Sequence, residues 1–299
     1  MAKKTQSVDS ICAKAKKDFQ IVGRESELKK LALLLSAERN VLIEGPVGVG
    51  KTVIAQAIAN AMGRPVIRID GDSRFSEQKL TGWFDPATAL KKGFNKNSFI
   101  PGPLVEAMEK GAILFVNEMN RMPEAVQNVL LPAIDERHVQ IPQLGTIKAK
   151  EGFLLIATQN PREFVATSHL SEALMDRMEW LSLGYQGFEE EKEIVVNAVP
   201  RLAKAEESRW LGVSVALVRA TRSCAKIKRG ASIRAAIAIA KILAQKLEDK
   251  GALDDNDFLE AALLVLPTRI ELVSAEDGSL EAHVKQVIQE LLVEVKKNS

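Results

Sequence analysis

Five short apolar runs punctuate the first 185 residues: Val41 to Glu44, Val66 to Ile69, Ile113 to Val116, Phe153 to Ala157 and Trp180 to Leu183. Each is nearly continuous rather than alternating, and helical patterns separate them. Together they predict a five-stranded parallel sheet covered by helices on both faces. After Tyr185 the pattern changes. From Glu189 to Leu266 no convincing strand is visible, and Ala- and Leu-rich helical stretches such as Ala235 to Leu247 and Asp257 to Leu266 predict a small all-α domain. The last segment repeats Leu280, Val284, Val287, Ile288, Leu291, Leu292 and Val295 on one helical face. It is expected to pack on that helical domain, with a partner-binding helix as the alternative. Residues 1 to about 17 are polar and lysine-rich, and read as an arm or frayed helix. The expected division is 1–17 arm, 18–187 α/β domain, and 188–299 helical domain.

Chemistry enters between the first strand and the helical pattern that follows it. Gly45, Pro46, Val47, Gly48, Val49, Gly50, Lys51 and Thr52 form a glycine-rich turn. The stretch Thr52 to Met62 then places Val53, Ile54, Ala57, Ile58 and Ala61 on one face and stops at Gly63. A strand feeding such a turn into a helix aims consecutive backbone N–H groups at one spot, where the helix end adds partial positive charge. A polyphosphate fits there. Lys51 would reach the β- and γ-phosphates, and the Thr52 hydroxyl would take one position on Mg²⁺. The apolar run Ala112 to Val116 ends in Asn117-Glu118, which puts an acidic residue at the C-terminal end of a parallel strand, beside the phosphate crevice. Glu118 is then placed to orient or deprotonate the water that attacks the γ-phosphate.

Composition narrows the field further. The 299 residues are 46% hydrophobic and 27% charged, with Lys+Arg 41 against Asp+Glu 39 and a formal net charge of +2. No overall bias recruits nucleic acid or an anionic membrane. No apolar stretch reaches membrane-spanning or signal-peptide length, and only Cys12 and Cys224 are present, which fits a reducing cytoplasm. His138, His169 and His283 are dispersed, so a histidine metal set is not expected.

Several separate stretches, in order, resemble the AAA+ ATPases and within them the MoxR family. Gly45 to Thr52 is similar to the Walker A motif, and Phe115 to Arg121 (Phe-Val-Asn-Glu-Met-Asn-Arg) to the Walker B strand and its continuation. Ala157 to Pro161, Leu174 to Arg177 and Gly230 to Arg234 match further motifs, so the resemblance covers roughly residues 20 to 270. It implies a P-loop sandwich with a helical lid, and ATP with Mg²⁺ as ligands. Asn160 would be the sensor 1 residue, Arg177 an arginine finger acting on a neighbouring subunit, and Arg234 sensor 2. Val22 and Gly23 resemble the segment that lines the adenine. Each has a plainer alternative: an Asn-Pro turn for Asn160, a local ion pair for Arg177, and a surface arginine for Arg234.

One position departs from the family pattern. Walker B ordinarily ends Asp-Glu, and Asn117 lacks the charge that a hard cation favours, although it can accept from a metal-bound water. Slow but real hydrolysis is expected. Two insertions, Asp85 to Pro103 and the hairpin Val139 to Ile147, match in position the helix 2 insert and pre-sensor 1 hairpin that face the pore of related rings. Trp83, Phe84 and Phe94 either touch a substrate there or pack beneath the loop. By the resemblance the chain is a hexameric ring with chaperone-like work on a protein complex, often with a von Willebrand factor A domain partner. The rival readings are a nucleic-acid motor and an ATP-gated scaffold that scarcely hydrolyses.

Overall fold

The computed structural model describes residues 7–160, 170–203, 208–273 and 280–297. It divides into two compact units, Met1–Pro46 with Gly50–Gly184, and Val47–Val49 with Tyr185–Ser299. The division after Gly184 falls close to the expected 187.

The first unit contains β1 (Val41–Glu44), β2 (Val66–Asp70), β3 (Gly82–Phe84), β4 (Phe99–Pro101), β5 (Ile113–Asn117), β6 (His138–Ile141), β7 (Gly145–Lys148), β8 (Leu154–Gln159) and β9 (Glu179–Ser182). Five of them form the parallel sheet that the apolar runs predict, in the order β2-β5-β8-β1-β9. Ile113 to Val116 and Leu154 to Ala157 are buried, as strands covered on both faces require. The edge strand β2 is only partly covered and carries Arg68 and Asp70.

The helix after the glycine-rich turn spans Lys51–Ala61, capped by Met62 with Gly63 at φ 66° just beyond. Ile54, Ala57, Ile58 and Ala61 are buried as expected, but Val53 is 45% exposed. It sits about 100° around the helix from Ile54, at the rim of the buried stripe. The N-terminal segment also departs from expectation. Val8–Phe19 is a helix capped by the Ser7 hydroxyl, and it packs on the helix Lys51–Ala61 through a narrow stripe of Ile11, Cys12 and Ala15. Three small or medium apolar residues among lysines made that stripe faint in the sequence. After Pro123 the chain forms two short helices, Glu124–Asn128 and Leu130–Asp135, rather than one long one. Pro132 explains the break, since its ring would clash with the carbonyl four residues earlier in a continuous helix.

Both insertions are present. β3 and β4 pair antiparallel around the helix Pro86–Lys92, and β6 pairs with β7 through a turn in which Gln143 and Gly145 take positive φ. Phe84 packs edge-on against Phe94 at 5.1 Å and Phe99 at 5.3 Å, while Trp83 and Phe94 remain exposed.

The second unit is helical, with Phe188–Ala198, Arg209–Ser223, Ile233–Lys250, Asp255–Val265 and Leu280–Lys297 around a core that includes a stacked Trp210–Phe258 pair at 5.1 Å. Val284, Val287, Ile288, Leu291 and Leu292 enter that core, so the last helix packs on the lid. The unit is not purely α. β10 (Ile227–Arg229) and β11 (Glu271–Leu272) form an antiparallel ribbon. At three and two residues, these strands are too short to show an apolar period.

Asp257 anchors this unit electrostatically. It is 3% exposed, forms a capping box with Asp254, and accepts from Lys250 and, at 3.0 Å, Lys246. The Lys250 and Lys246 ammonium groups hold its carboxyl well below the usual carboxylate range. A depressed folded pKa contributes stability above the ordinary value of about 4 and loses it as pH falls through lower values. Asp257→Asn should therefore lower the melting temperature at pH 7, and the gap from the parent should narrow progressively below about pH 4. A gap that stays constant down to pH 2 in thermal melts would contradict this account.

Candidate nucleotide site

Because the sheet strands are parallel, their last residues share one edge. Glu44 registers with Gln159, and Asp70 with Asn117. The turn after β1 ends in Gly50 at φ 94°, a conformation that L side chains resist, and this starts the helix Lys51–Ala61 with its N–H groups at the same edge. Gly48 likewise has positive φ, Val49 is buried and Val47 exposed.

Lys51 is buried, and its ammonium donates to the carbonyls of Gly45 (2.6 Å) and Pro46 (2.9 Å) and to Asn160 Oδ1 (2.8 Å). Asn160 Nδ2 in turn reaches Glu118 Oε1 at 3.4 Å. Thr52 Oγ1 donates to Asn117 Oδ1 at 3.3 Å. Lys51, Thr52, Asn117, Glu118 and Asn160, picked out separately along the chain, thus form two hydrogen-bonded groups, Lys51–Asn160–Glu118 and Thr52–Asn117, which the Thr158 hydroxyl joins. The motif continues to Pro161, which lies outside the described residues, as does His169.

Glu118 stands at φ 54°, a left-handed conformation that costs a non-glycine residue about 1–2 kcal/mol. Its N–H is fixed by Thr158 Oγ1 at 2.9 Å, and the same hydroxyl donates to Asn117 Oδ1 at 2.9 Å. Thr158 is fully buried, so this one hydroxyl sets the geometry of both functional residues. Arg121 Nη1 donates to Glu118 Oε2 at 2.8 Å, and Asn117 Nδ2 to Asp70 Oδ1 at 2.7 Å. The Arg68 guanidinium, with help from Asn117, holds the Asp70 carboxyl below its usual range. Thr158 and Arg121 lay inside motifs read from the sequence without being given a role, and Asp70 was not singled out; its only signal is its place at the end of a strand.

The donor set fits a magnesium ion that arrives with a polyphosphate. Thr52 and Asn117 offer hard oxygen atoms, and among the described residues no group of three or more His, Cys, Asp or Glu could hold a metal alone. Magnesium at nucleotide sites takes one or two protein oxygens, phosphates and waters.

The remaining expected residues have local surroundings of their own. Arg177 donates to Asp135 Oδ2 from Nε (3.0 Å) and Nη2 (2.9 Å), and to the Ala173 carbonyl. This is the local ion pair that was its alternative. Arg234 is exposed on the first turn of Ile233–Lys250 in the second unit. Val22 is buried and Gly23 has positive φ, followed by Arg24, which donates to the Gly184 carbonyl at 2.7 Å.

Residues 40–178 match the model of the AAA domain of the dynein-related subfamily. The gas vesicle ATPase GvpN of Ancylobacter aquaticus is 28% identical over 79% of this chain and 69% of its own length. The YeaC protein of Bacillus subtilis is 28% identical over 92% of each. The gas vesicle ATPase GvpN2 of Halobacterium salinarum is 28% identical over 54% of this chain, and the match spans about half of that relative, 52%. Among solved structures, the RuvB Holliday junction branch migration motor of Thermotoga maritima superposes with TM-score 0.56 at 22% identity, covering 85% of this chain and 72% of that one. At that identity the likeness concerns the fold, an AAA+ P-loop fold.

Removing the Thr158 hydroxyl tests the hub. Thr158→Val keeps the shape but leaves the Glu118 N–H and one acceptance by Asn117 unmet, which should destabilise the protein by about 1–3 kcal/mol in denaturant titration. A change within about 0.5 kcal/mol would mean that the hydroxyl is not what holds these two residues.

Proposed function

From the match of residues 40–178 to an AAA domain, we propose that this chain is a MoxR-type AAA+ ATPase that binds ATP with Mg²⁺ and hydrolyses it in a head-to-tail ring to remodel or mature a partner protein complex. The observation that carries the reading is the convergence of Lys51, Thr52, Asn117, Glu118 and Asn160 at one sheet edge. Names of relatives as ATPases support it.

Each residue has a task that its geometry suits. Lys51 exchanges the Gly45 and Pro46 carbonyls for phosphate oxygens, a replacement of acceptors by better-charged acceptors. Thr52 and Asn117 offer oxygen to magnesium, which when bound offsets charge on the phosphates. Glu118 orients the attacking water and takes its proton, and Asn160, able to donate and accept, holds that water or the γ-phosphate. Gly45 to Val53, with Val22 and Gly23, would cradle the nucleotide. Arg177 would leave Asp135 and enter the next subunit's site, and Arg234 would report nucleotide state to the lid. A finger acting in trans needs a heterologous contact, and such contacts close into rings. The β3–β4 and β6–β7 hairpins would face the pore, and a von Willebrand factor A protein is the expected partner class. The net charge of +2 weighs against a nucleic-acid motor.

Glu118→Gln should lower ATP turnover by roughly a hundredfold or more while leaving ATP binding intact. Unchanged turnover would remove Glu118 from its role, and an assembled parent without turnover would favour the ATP-gated scaffold. Turnover stimulated by DNA, with affinity falling steeply in salt, would instead identify a nucleic-acid motor.

Arg177 is tested by mixing. Arg177→Ala subunits keep their own Glu118, and Glu118→Gln subunits keep Arg177, so a mixture should hydrolyse ATP faster than either variant alone. A mixture no faster than the mean of its parts would place Arg177 outside any shared site.

A further inference from the structure

The nucleotide reading leaves a charge unaccounted for, since Asn117 is neutral where a hard cation favours a carboxylate. The sheet supplies one from the neighbouring strand. Asp70 ends β2 in register with Asn117, and its Oδ1 accepts from Asn117 Nδ2 at 2.7 Å. The other end of the amide, Oδ1, accepts from the Thr52 and Thr158 hydroxyls at 3.3 and 2.9 Å. Hydroxyl groups donate or accept, so they would tolerate either orientation of the amide. A carboxylate only accepts. Asp70 is therefore the group that decides which way Asn117 points, turning its oxygen to Thr52.

The approach of the two strands is built in. The Gly71 N–H donates to the Asn117 carbonyl at 2.7 Å, and a Cβ at Gly71 would lie 2.2 Å from the Glu118 carbonyl oxygen. Any side chain there would push the end of β2 away from Asn117 and Glu118. The Asp70 side chain is 59% exposed and open to water. Arg68 shares its Oδ1 at 2.8 Å, which leaves Oδ2 without a protein donor among the described residues.

We propose that Asp70 replaces the missing charge of position 117: it is a positioning residue that fixes Asn117 Oδ1 toward Thr52 and places a carboxylate one hydrogen bond behind the metal-facing amide. The inference rests on the nucleotide reading of this site. Partners behind a metal ligand typically change metal affinity by 10–100-fold when removed. Relocating the charge should then restore what removing it costs.

The test is a Mg²⁺ titration of the binding of a fluorescent ATP analogue to the full chain, alongside binding in EDTA. Asp70→Asn should raise the Mg²⁺ midpoint by about tenfold, with metal-free binding changed by less than about twofold. Asn117→Asp alone sets two carboxylates against each other and should not lower the midpoint. The swap, Asp70→Asn with Asn117→Asp, keeps one amide and one carboxylate in contact and should return the midpoint to within about threefold of the parent. A midpoint unmoved by Asp70→Asn, or a swap no better than Asp70→Asn alone, overturns the proposal. A merely structural role for Asp70 predicts equal losses with and without metal, and that outcome overturns it too. A parent that binds no analogue with Mg²⁺ overturns the nucleotide reading itself, which separates the two failures.

Discussion

Parallel register is the constraint on which the rest depends. Four adjacent parallel strands deliver their final residues to one edge without any single strand encoding a site, and each contributes a different chemistry there: Glu44 leads into the glycine-rich turn, Asp70 brings charge, Asn117 and Glu118 bring an amide and a carboxylate, and Gln159 leads to Asn160. The buried Thr158 hydroxyl then locks two of these ends together. A one-residue slip of β5 against β8 would exchange inward for outward side chains and dismantle both the core and the site. Stability of the sheet and placement of the functional groups are therefore one requirement.

What was legible in the sequence follows from the range of the forces involved. Continuous apolar runs announced all five sheet strands, and the glycine-rich turn announced the start of the helix Lys51–Ala61, because both are local patterns. The helix Val8–Phe19 was hidden, since its packing stripe is only Ile11, Cys12 and Ala15 and its partner helix lies some forty residues on. β10 and β11 were hidden because strands of three and two residues, Ile-Lys-Arg and Glu-Leu, are too short to show a period. Within the site, Asn117 was visible as a departure, but its partner was not. Asp70 is 47 residues away in the chain and meets it only across the sheet, a proximity that no spacing rule encodes. Val53 shows the converse error, a correct helix with one residue assigned to the wrong side of the buried stripe.

The charged groups to which the proposed function gives a role, two in the site and Arg177 outside it, each already have a partner. Lys51 lies against backbone carbonyls, Glu118 against Arg121, and Arg177 against Asp135. The magnitudes separate these contacts. Arg121 and Glu118 are partly exposed, at 58% and 31%, as are Arg177 and Asp135, and exposed pairs of this kind contribute about 0–1 kcal/mol. Releasing Glu118 or Arg177 therefore costs little, as the roles proposed for them require. Lys51 differs, being buried with three acceptors. Its ammonium cannot be left without partners, so in the proposed function it would leave the carbonyls only as phosphate oxygens replaced them, which would free the backbone of the turn in the same event. Asn160 bridges the two classes, because it accepts from Lys51 and donates to Glu118. When Lys51 moves to phosphate, Asn160 loses an acceptance and its hold on Glu118 is the contact next able to change. In the proposed function, occupation of the glycine-rich loop would thereby be linked to release of the carboxylate through a single neutral side chain.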